Sequence, residues 1–358
     1  MSVATASQYG SPPSLTVLSA PSADWDEFVG SFPAASVYLR SAWTALAREV
    51  FRLRAWYLEA RDAKGSLVAV LPLLQQRSLI GNFATSVPFF NYGGVLAHSD
   101  DHALLLMERA RELARDAGCS YLELRDVERR PAAVAAGWQL RSDKVSMVLS
   151  LPDTTEALGK RLGSKLRSQI KRADREGVQA RAGGIELLDA FYDVFCRNMH
   201  ELGTPVYPRR FFRAILETFP NDTRLVIVER GGTPLAAGFL VFGGNGAEIP
   251  WASCRADAKP LGVNMKLYWE VLLVAIERGC KTFDFGRSTV DSGTYRFKQQ
   301  WGAQPLQLNW YRWERRPATD GAPASPGRVM RLATAVWQRL PLRLANALGP
   351  IVSPALPW

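Results

Sequence analysis

The chain has 358 residues, 44 Lys and Arg against 34 Asp and Glu, a formal charge of +10, and 47% hydrophobic and 10% aromatic residues. That length exceeds one comfortable core and suits two α/β domains. No apolar run reaches about 18 residues, so no transmembrane helix is expected. Cys119, Cys196, Cys254 and Cys280 lack C-x-x-C spacing, which points to buried thiols in a reducing cytoplasm.

In chain order, Met1 to Pro13 are uncharged and rich in Ser, Ala and Pro, without the basic and apolar regions of a secretion signal; they read as a disordered leader. A short helix over Ala42 to Phe51 precedes a hairpin, Trp56 to Arg61 and Leu67 to Leu74, turning at Lys64-Gly65. His98 and His102 are spaced i, i+4 but stand beside Asp100 and Asp101 at a helix start, so a metal site is not expected. A helix from Ala103 to Ala117 then leads through Gly118-Cys119 into an alternating strand that ends at Arg125-Asp126.

The next segment, Glu156 to Arg181, holds eight Lys/Arg against three Asp/Glu. Leu158, Leu162, Leu166 and Ile170 recur every four residues, which predicts one basic amphipathic helix closed by Gly177. Its face, with Lys165 and Arg172, reads either as a solvated surface or as a landing strip for a polyanion. No helix-turn-helix or zinc-finger pattern accompanies it, so sequence-specific DNA binding is not expected.

The plan of the first half then recurs. Helix Arg209 to Phe219 precedes the hairpin Val226 to Arg230 and Pro234 to Phe242; helix Leu267 to Arg278 leads through Gly279-Cys280 into a strand, Thr282 to Phe285. A spacing of roughly 165 residues fits duplication of a whole domain. Beyond the strand come Arg287, Ser288, Asp291, Tyr295 and Lys298 in one loop-to-strand connection. In open α/β sheets ligands gather past strand C-termini. Here Asp284 suits proton handling or orientation, Arg287 anion binding, and Lys298 oxyanion stabilisation. A Ser-His-Asp set, a P-loop and a Rossmann glycine fingerprint are all absent, which favours direct transfer. From Arg312 to Trp358 there are seven Arg against two acids. After a Pro/Ala/Gly linker, Pro317 to Gly327, Val329, Leu332, Val336 and Leu340 form one helical face before Pro341. That tail reads either as a membrane-interface segment or as a helix docked on the protein's own core. The predicted organisation is a leader (1–13), two domains (14–155 and 156–316, the second opened by the basic helix), and a linker with a basic amphipathic tail (317–358).

The stretches F-D-F-G-R-S and G-T-Y-R-F-K-Q-Q-W-G, the basic helix K-L-R-S-Q-I-K-R-A-D-R-E-G-V and the loop N-M-H-E-L-G-T-P resemble the FemAB-like branch of the GNAT acyltransferase superfamily, over roughly Ser14 to Trp313. The tail is similar to that of the subgroup associated with exosortase and exopolysaccharide loci. The resemblance implies an α/β fold of two tandem GNAT-like domains, each a mixed, mostly antiparallel sheet flanked by helices. It implies transfer of an acyl or aminoacyl group to an amine, with Lys298, Asp284 and Tyr295 in catalytic positions and Arg287, Ser288, Asn198 and Thr204 facing substrate. Where such proteins place a Gly-rich pyrophosphate turn, this chain reads R-A-D-A-K-P-L-G-V-N-M, keeping Arg255, Gly262 and Asn264 but one glycine. No tightly bound cofactor is expected, and acyl-CoA and aminoacyl-tRNA both stay open as donors. The expected acceptor is a phosphate-linked sugar or peptide precursor of the cell envelope or an exopolysaccharide. The expected place is cytoplasmic, peripheral at the inner membrane, with an anionic membrane surface and tRNA as further partners. A tRNA-dependent peptidoglycan-bridge ligase and a non-catalytic polyanion- or membrane-binding adaptor are the alternatives.

Overall fold

A computed structural model describes residues 13–78, 81–316 and 328–356. The expected leader, apart from Pro13, and the linker 317–327 lie outside the described residues. The chain divides into two compact units, residues 1–141 with 309–316 and residues 142–308 with 317–358. The first contains β1 (Ser14–Leu18), α1 (Trp25–Gly30), α2 (Ser41–Phe51), β2 (Arg54–Arg61), β3 (Leu67–Arg77), β4 (Asn82–Thr85), β5 (Leu96–Ala97), α3 (Asp100–Asp116), β6 (Tyr121–Asp126), α4 (Pro131–Ala135) and β7 (Gln139–Arg141). The second runs through β8 (Lys144–Ser150), α5 (Thr155–Arg161), α6 (Ser164–Arg175), β9 (Gln179–Gly183), α7 (Leu188–Glu201), α8 (Arg209–Thr218), β10 (Thr223–Arg230), β11 (Thr233–Gly243), β12 (Gly246–Cys254), α9 (Val263–Glu277), β13 (Thr282–Thr289), α10 (Gly293–Gln299) and β14 (Gln304–Gln307). β15 (Asn309–Glu314) returns to the first unit, and α11 (Arg328–Arg339) and α12 (Leu342–Val352) belong to the second.

Each unit is a mixed, mostly antiparallel sheet with helices on it. The strand orders are β1-β2-β3-β4-β6-β15-β7, with β5 beside β3, and β14-β8-β13-β12-β11-β10-β9. In each sheet one pair is parallel, β4 with β6 and β12 with β13. A parallel neighbour needs a long crossover, and α3 and α9 supply it. α3 buries Leu106, Met107 and Ala110 in the first core; α9 buries Leu267, Val271 and Leu272 in the second. Both helices end at a glycine in the left-handed region, Gly118 (φ 75°) and Gly279 (φ 83°), ahead of a buried cysteine and the inner strand. The α/β class and the internal repeat are therefore both present.

The structure differs from the expected organisation in five places. β8 falls before 156 yet pairs with β13 and β14, and β15 falls before 316 yet pairs with β6 and β7. Each sheet thus takes one strand from the far side of the predicted divide, because strand partners are chosen by non-local register. The basic segment is two helices, since Leu162 (ψ 139°) and Gly163 (ψ 155°) are extended. Leu158, Leu162, Leu166 and Ile170 nevertheless all reach the second core. β13 does not stop at Phe285 but continues to Thr289, and Tyr295 and Lys298 lie on α10 rather than in a loop. The tail is docked: α11 and α12 pack on α7. No helix among the described residues is long and apolar enough to cross a membrane.

Candidate active site

The site is built where two strands part. β12 and β13 pair from Gly246 with Thr282 to Glu248 with Asp284. Beyond that point β12 stays on β11 up to Cys254, while β13 stays on β8 up to Thr289. Two carboxylates, Glu248 and Asp284, thus stand at the fork, both buried.

The register of β13 against β8 slips between Asp284 and Arg287, and Gly286 occupies the slip with φ 79°. A side chain at that φ is disfavoured by about 1–2 kcal/mol, so glycine allows the bulge. The bulge organises the polar groups. The Asp284 Oδ1 accepts from the Gly286 N–H at 2.7 Å and from the Ser146 hydroxyl on β8 at 2.6 Å. From α10, the Lys298 Nζ donates to the Gly286 carbonyl at 2.9 Å and the Arg287 carbonyl at 3.0 Å. One residue, Gly286, thereby holds the acid by its N–H and the lysine by its C=O. Burial pushes the Asp284 carboxyl up to about 7, against the opposing pull of the Gly286 N–H and the Lys298 charge. Burial also draws the Lys298 ammonium down to about 8, with Asp284 opposing that shift. Burial thus shifts two groups of opposite type toward their neutral forms side by side, a pattern that recurs at acid–base sites.

The equivalent fork of the first unit is built differently. Thr85 pairs with Glu123 as Glu248 pairs with Asp284. Glu123, however, is ion-paired with Arg125 (3.2 Å), Arg141 (3.3 Å) and Arg312 (3.6 Å). The loop after β4 also closes on β6, with Ser86 N–H to the Glu123 carbonyl (3.1 Å) and Gly93 N–H to the Arg125 carbonyl (2.9 Å). A carboxylate fixed by three guanidiniums and covered by backbone is a structural element. Asp284, held by a hydroxyl and one amide, keeps capacity for chemistry.

Of the other expected site residues, Ser288 is buried on β13 and its Oγ has no hydrogen-bond partner among the described residues. Arg287 is exposed, and Tyr295 lies buried in α10, whose first turn is capped by the Ser292 side chain. Trp301 is packed in the core beside Tyr268 and Phe297. Asn198 lies near the end of α7 and Thr204 just after it, past Gly203 (φ 69°). Glu201, between them, accepts from the Ala256 N–H at 3.2 Å, which ties this corner to the turn before α9. In that turn Arg255 is paired with Asp257 at 2.6 Å. Gly262 (φ 77°) caps α9, followed by Asn264 in its first turn. A Cβ at Gly262 would stand 3.2 Å from the Gln169 carbonyl oxygen, so α6 is pressed against the turn. Lys165 and Arg172 are exposed on α6, but the groove of about 630 Å³ beside that helix is lined by Ser164, Arg167, Ser168, Lys171, Asp174 and Arg175. The hydrogen bonds of the Asp284–Lys298 pair run to Ser146, Gly286 and Arg287, and not to Asn198, Thr204, Lys165, Arg172, Arg255, Gly262 or Asn264. Sequence reasoning missed Ser146 and Glu248. The one polar residue within the apolar run V-S-M-V-L, Ser146, was the available signal for the first; nothing local marked the second.

Comparison with known proteins agrees with this architecture. The acetyltransferase (GNAT) domain family matches residues 160–299. The fold is similar to the crystal structure of FemX, with a TM-score of 0.64 at 13% identity over 84% of this chain and 97% of that one. It is similar to the C-terminal domain (DUF2156) of a proposed lysylphosphatidylglycerol synthetase from Agrobacterium fabrum, with a TM-score of 0.55 at 14% identity over 88% and 96%. A tandem GNAT protein from the clavulanic acid biosynthesis pathway gives 0.53 at 15% identity over 86% and 100%. A search of curated proteins gives no significant match. Residues 160–299 thus match an acetyltransferase (GNAT) domain, and the chain as a whole has the fold seen in FemX and in a tandem GNAT protein.

Proposed function

We propose that the second unit transfers an acyl or aminoacyl group to an amine of a cell-envelope or exopolysaccharide precursor, at the fork between β12 and β13. The observation that carries the reading is the buried Asp284–Lys298 pair held together through one residue, Gly286. Amine acylation needs a neutral nucleophile, an acceptor for its proton and donors for the tetrahedral oxyanion. Asp284, at about 7, is partly ionised near neutral pH and takes the proton. An ammonium has three N–H donors, and Lys298 spends two on the Gly286 and Arg287 carbonyls. The third is available for the oxyanion or the leaving group. Tyr295 and the free Ser288 hydroxyl supply further polar contacts near the same strand end, and Arg287 stays exposed for an anionic part of the substrate.

The turn before α9 suits acyl-CoA only in part. The first N–H groups of α9 have no carbonyl within the helix to bond, which favours an anion. Against this, the turn has one glycine and α6 leans on it at Gly262. Arg167, Lys171 and Arg175 beside the α6 groove suit a phosphate-linked acceptor or the backbone of an aminoacyl-tRNA. Intact-mass and product mass spectrometry with acyl-CoA or charged tRNA, against amino-sugar and peptide-precursor acceptors, tests the reading. A mass increase of the acceptor that Asp284→Asn and Lys298→Met both abolish is expected. If the variants leave every transfer and every ligand affinity unchanged, a non-catalytic binding role replaces it.

A further inference from the structure

The tail presents two faces of different character. One is fixed to the second unit. Ala345 and Gly349 are buried, and a Cβ at Gly349 would collide with Val206, 2.7 Å from its side chain. The His200 Nε2 bonds the Leu340 carbonyl at 2.8 Å, and the Gln338 amide donates to the Glu201 carbonyl at 2.8 Å. Gly203 is equally close to α11, where a Cβ would stand 2.4 Å from Thr334. This docking holds α11 and α12 in place and determines which side chains point away.

Those side chains are apolar. Leu332 (66% exposed) and Val336 (51%) stand one turn apart on α11; Leu344 (45%), Leu348 (38%) and Ile351 (74%) form an i, i+4, i+7 stripe on α12. Scattered single hydrophobics need no explanation, but stripes on consecutive helices do. Charge identifies the occupant. Residues 328–358 contain Arg328, Arg331, Arg339 and Arg343 and no Asp or Glu, and Arg331, Arg339 and Arg343 are exposed. Exposed aliphatic stripes interleaved with arginines, without any acid, complement an anionic lipid surface: the aliphatics enter the acyl boundary and the guanidiniums meet the phosphates.

We infer that α11 and α12 form a membrane-docking surface that holds the second unit on an anionic bilayer. The surface is pre-assembled, because the buried face of the helices is already packed on α7 and the segment after it. Docking therefore needs no folding of the tail on the lipid.

The test is co-sedimentation of the full-length protein with vesicles of phosphatidylcholine alone and with about one-third phosphatidylglycerol, at low and high salt. Binding to the anionic vesicles, weakened by salt, is expected. Leu344→Asp with Ile351→Asp, both at exposed positions, is expected to lower the partition at least about tenfold. Arg331→Glu with Arg339→Glu is expected to do the same on anionic vesicles only. Circular dichroism and size-exclusion chromatography with light scattering accompany each variant. Equal binding by all variants, or no vesicle binding by the wild type, overturns the inference. So does a wild-type dimer that the Leu344/Ile351 variant turns into a monomer, since the stripe then covers a second copy of the chain.

Discussion

Asp284→Asn keeps the shape of the buried side chain and removes its charge. Asp284 is 8% exposed and burial raises its carboxyl to about 7. A raised folded-state value means that the protonated form carries the stability. That contribution is complete below the unfolded carboxylate range and is lost as pH climbs to the folded value. The gap from the ordinary value near 4 to about 7, at about 1.4 kcal/mol per pH unit, amounts to about 4 kcal/mol. Part is already lost by about pH 5, which leaves roughly 2–3 kcal/mol to be lost between about pH 5 and pH 8. Asn has no charge to desolvate and escapes this loss. Urea unfolding of both proteins across that interval, with matched m-values, measures it. The variant is expected to gain about 2–3 kcal/mol relative to the wild type as pH rises. A difference that stays flat, or one that moves toward the wild type, refutes the placement of a charge-averse carboxyl at the fork.

The remaining predictions concern its neighbours. Lys298→Met should reduce transfer by at least about a hundredfold, read as single-turnover rate. Because the folded-state value of Lys298 is lowered to about 8, the burden of its charge is full below that pH and relieved above it. The wild type should therefore gain on the Met variant in urea unfolding between about pH 8 and pH 10. Gly286→Ala, forced to φ 79°, should lose about 1–2 kcal/mol in the same assay and lower the transfer rate by displacing both hydrogen bonds of the bulge. Ser146→Ala removes the 2.6 Å donor that favours the ionised carboxylate, so the acid limb of the pH–rate profile should move upward by about half a unit to one unit.

Much of the architecture was legible because both halves carry the same local signals. A helix ending at Gly118-Cys119 or Gly279-Cys280, followed by an alternating strand, marks each inner strand without any tertiary information. The exchange of β8 and β15 was not legible, since Val145, Met147 and Leu149 alternate equally well for either sheet. The broken basic helix was half legible: spacing by four survives across α5 and α6, and the Leu-Gly-Ser junction at Gly163 was the overlooked stop signal. At the candidate site, Asp284, Arg287, Ser288 and Lys298 could be grouped from the sequence because they are close along the chain. Glu248 and Ser146 arrive through strand register, 36 and 138 positions from Asp284, which no local pattern reports. The bulge at Gly286 was hidden by the same cause, because a slip in register exists only relative to β8.

The most direct measurement is the pH dependence of kcat/KM for transfer by the wild type and by Asp284→Asn, once a donor and acceptor pair is in hand. A bell with apparent ionisations near 7 and 8, belonging to the coupled pair, is expected. In the variant the rate should be at least about a hundredfold lower, with the acid limb gone. A variant that keeps both the rate and the profile would contradict a catalytic Asp284, and the chemistry would have to lie elsewhere in the fold.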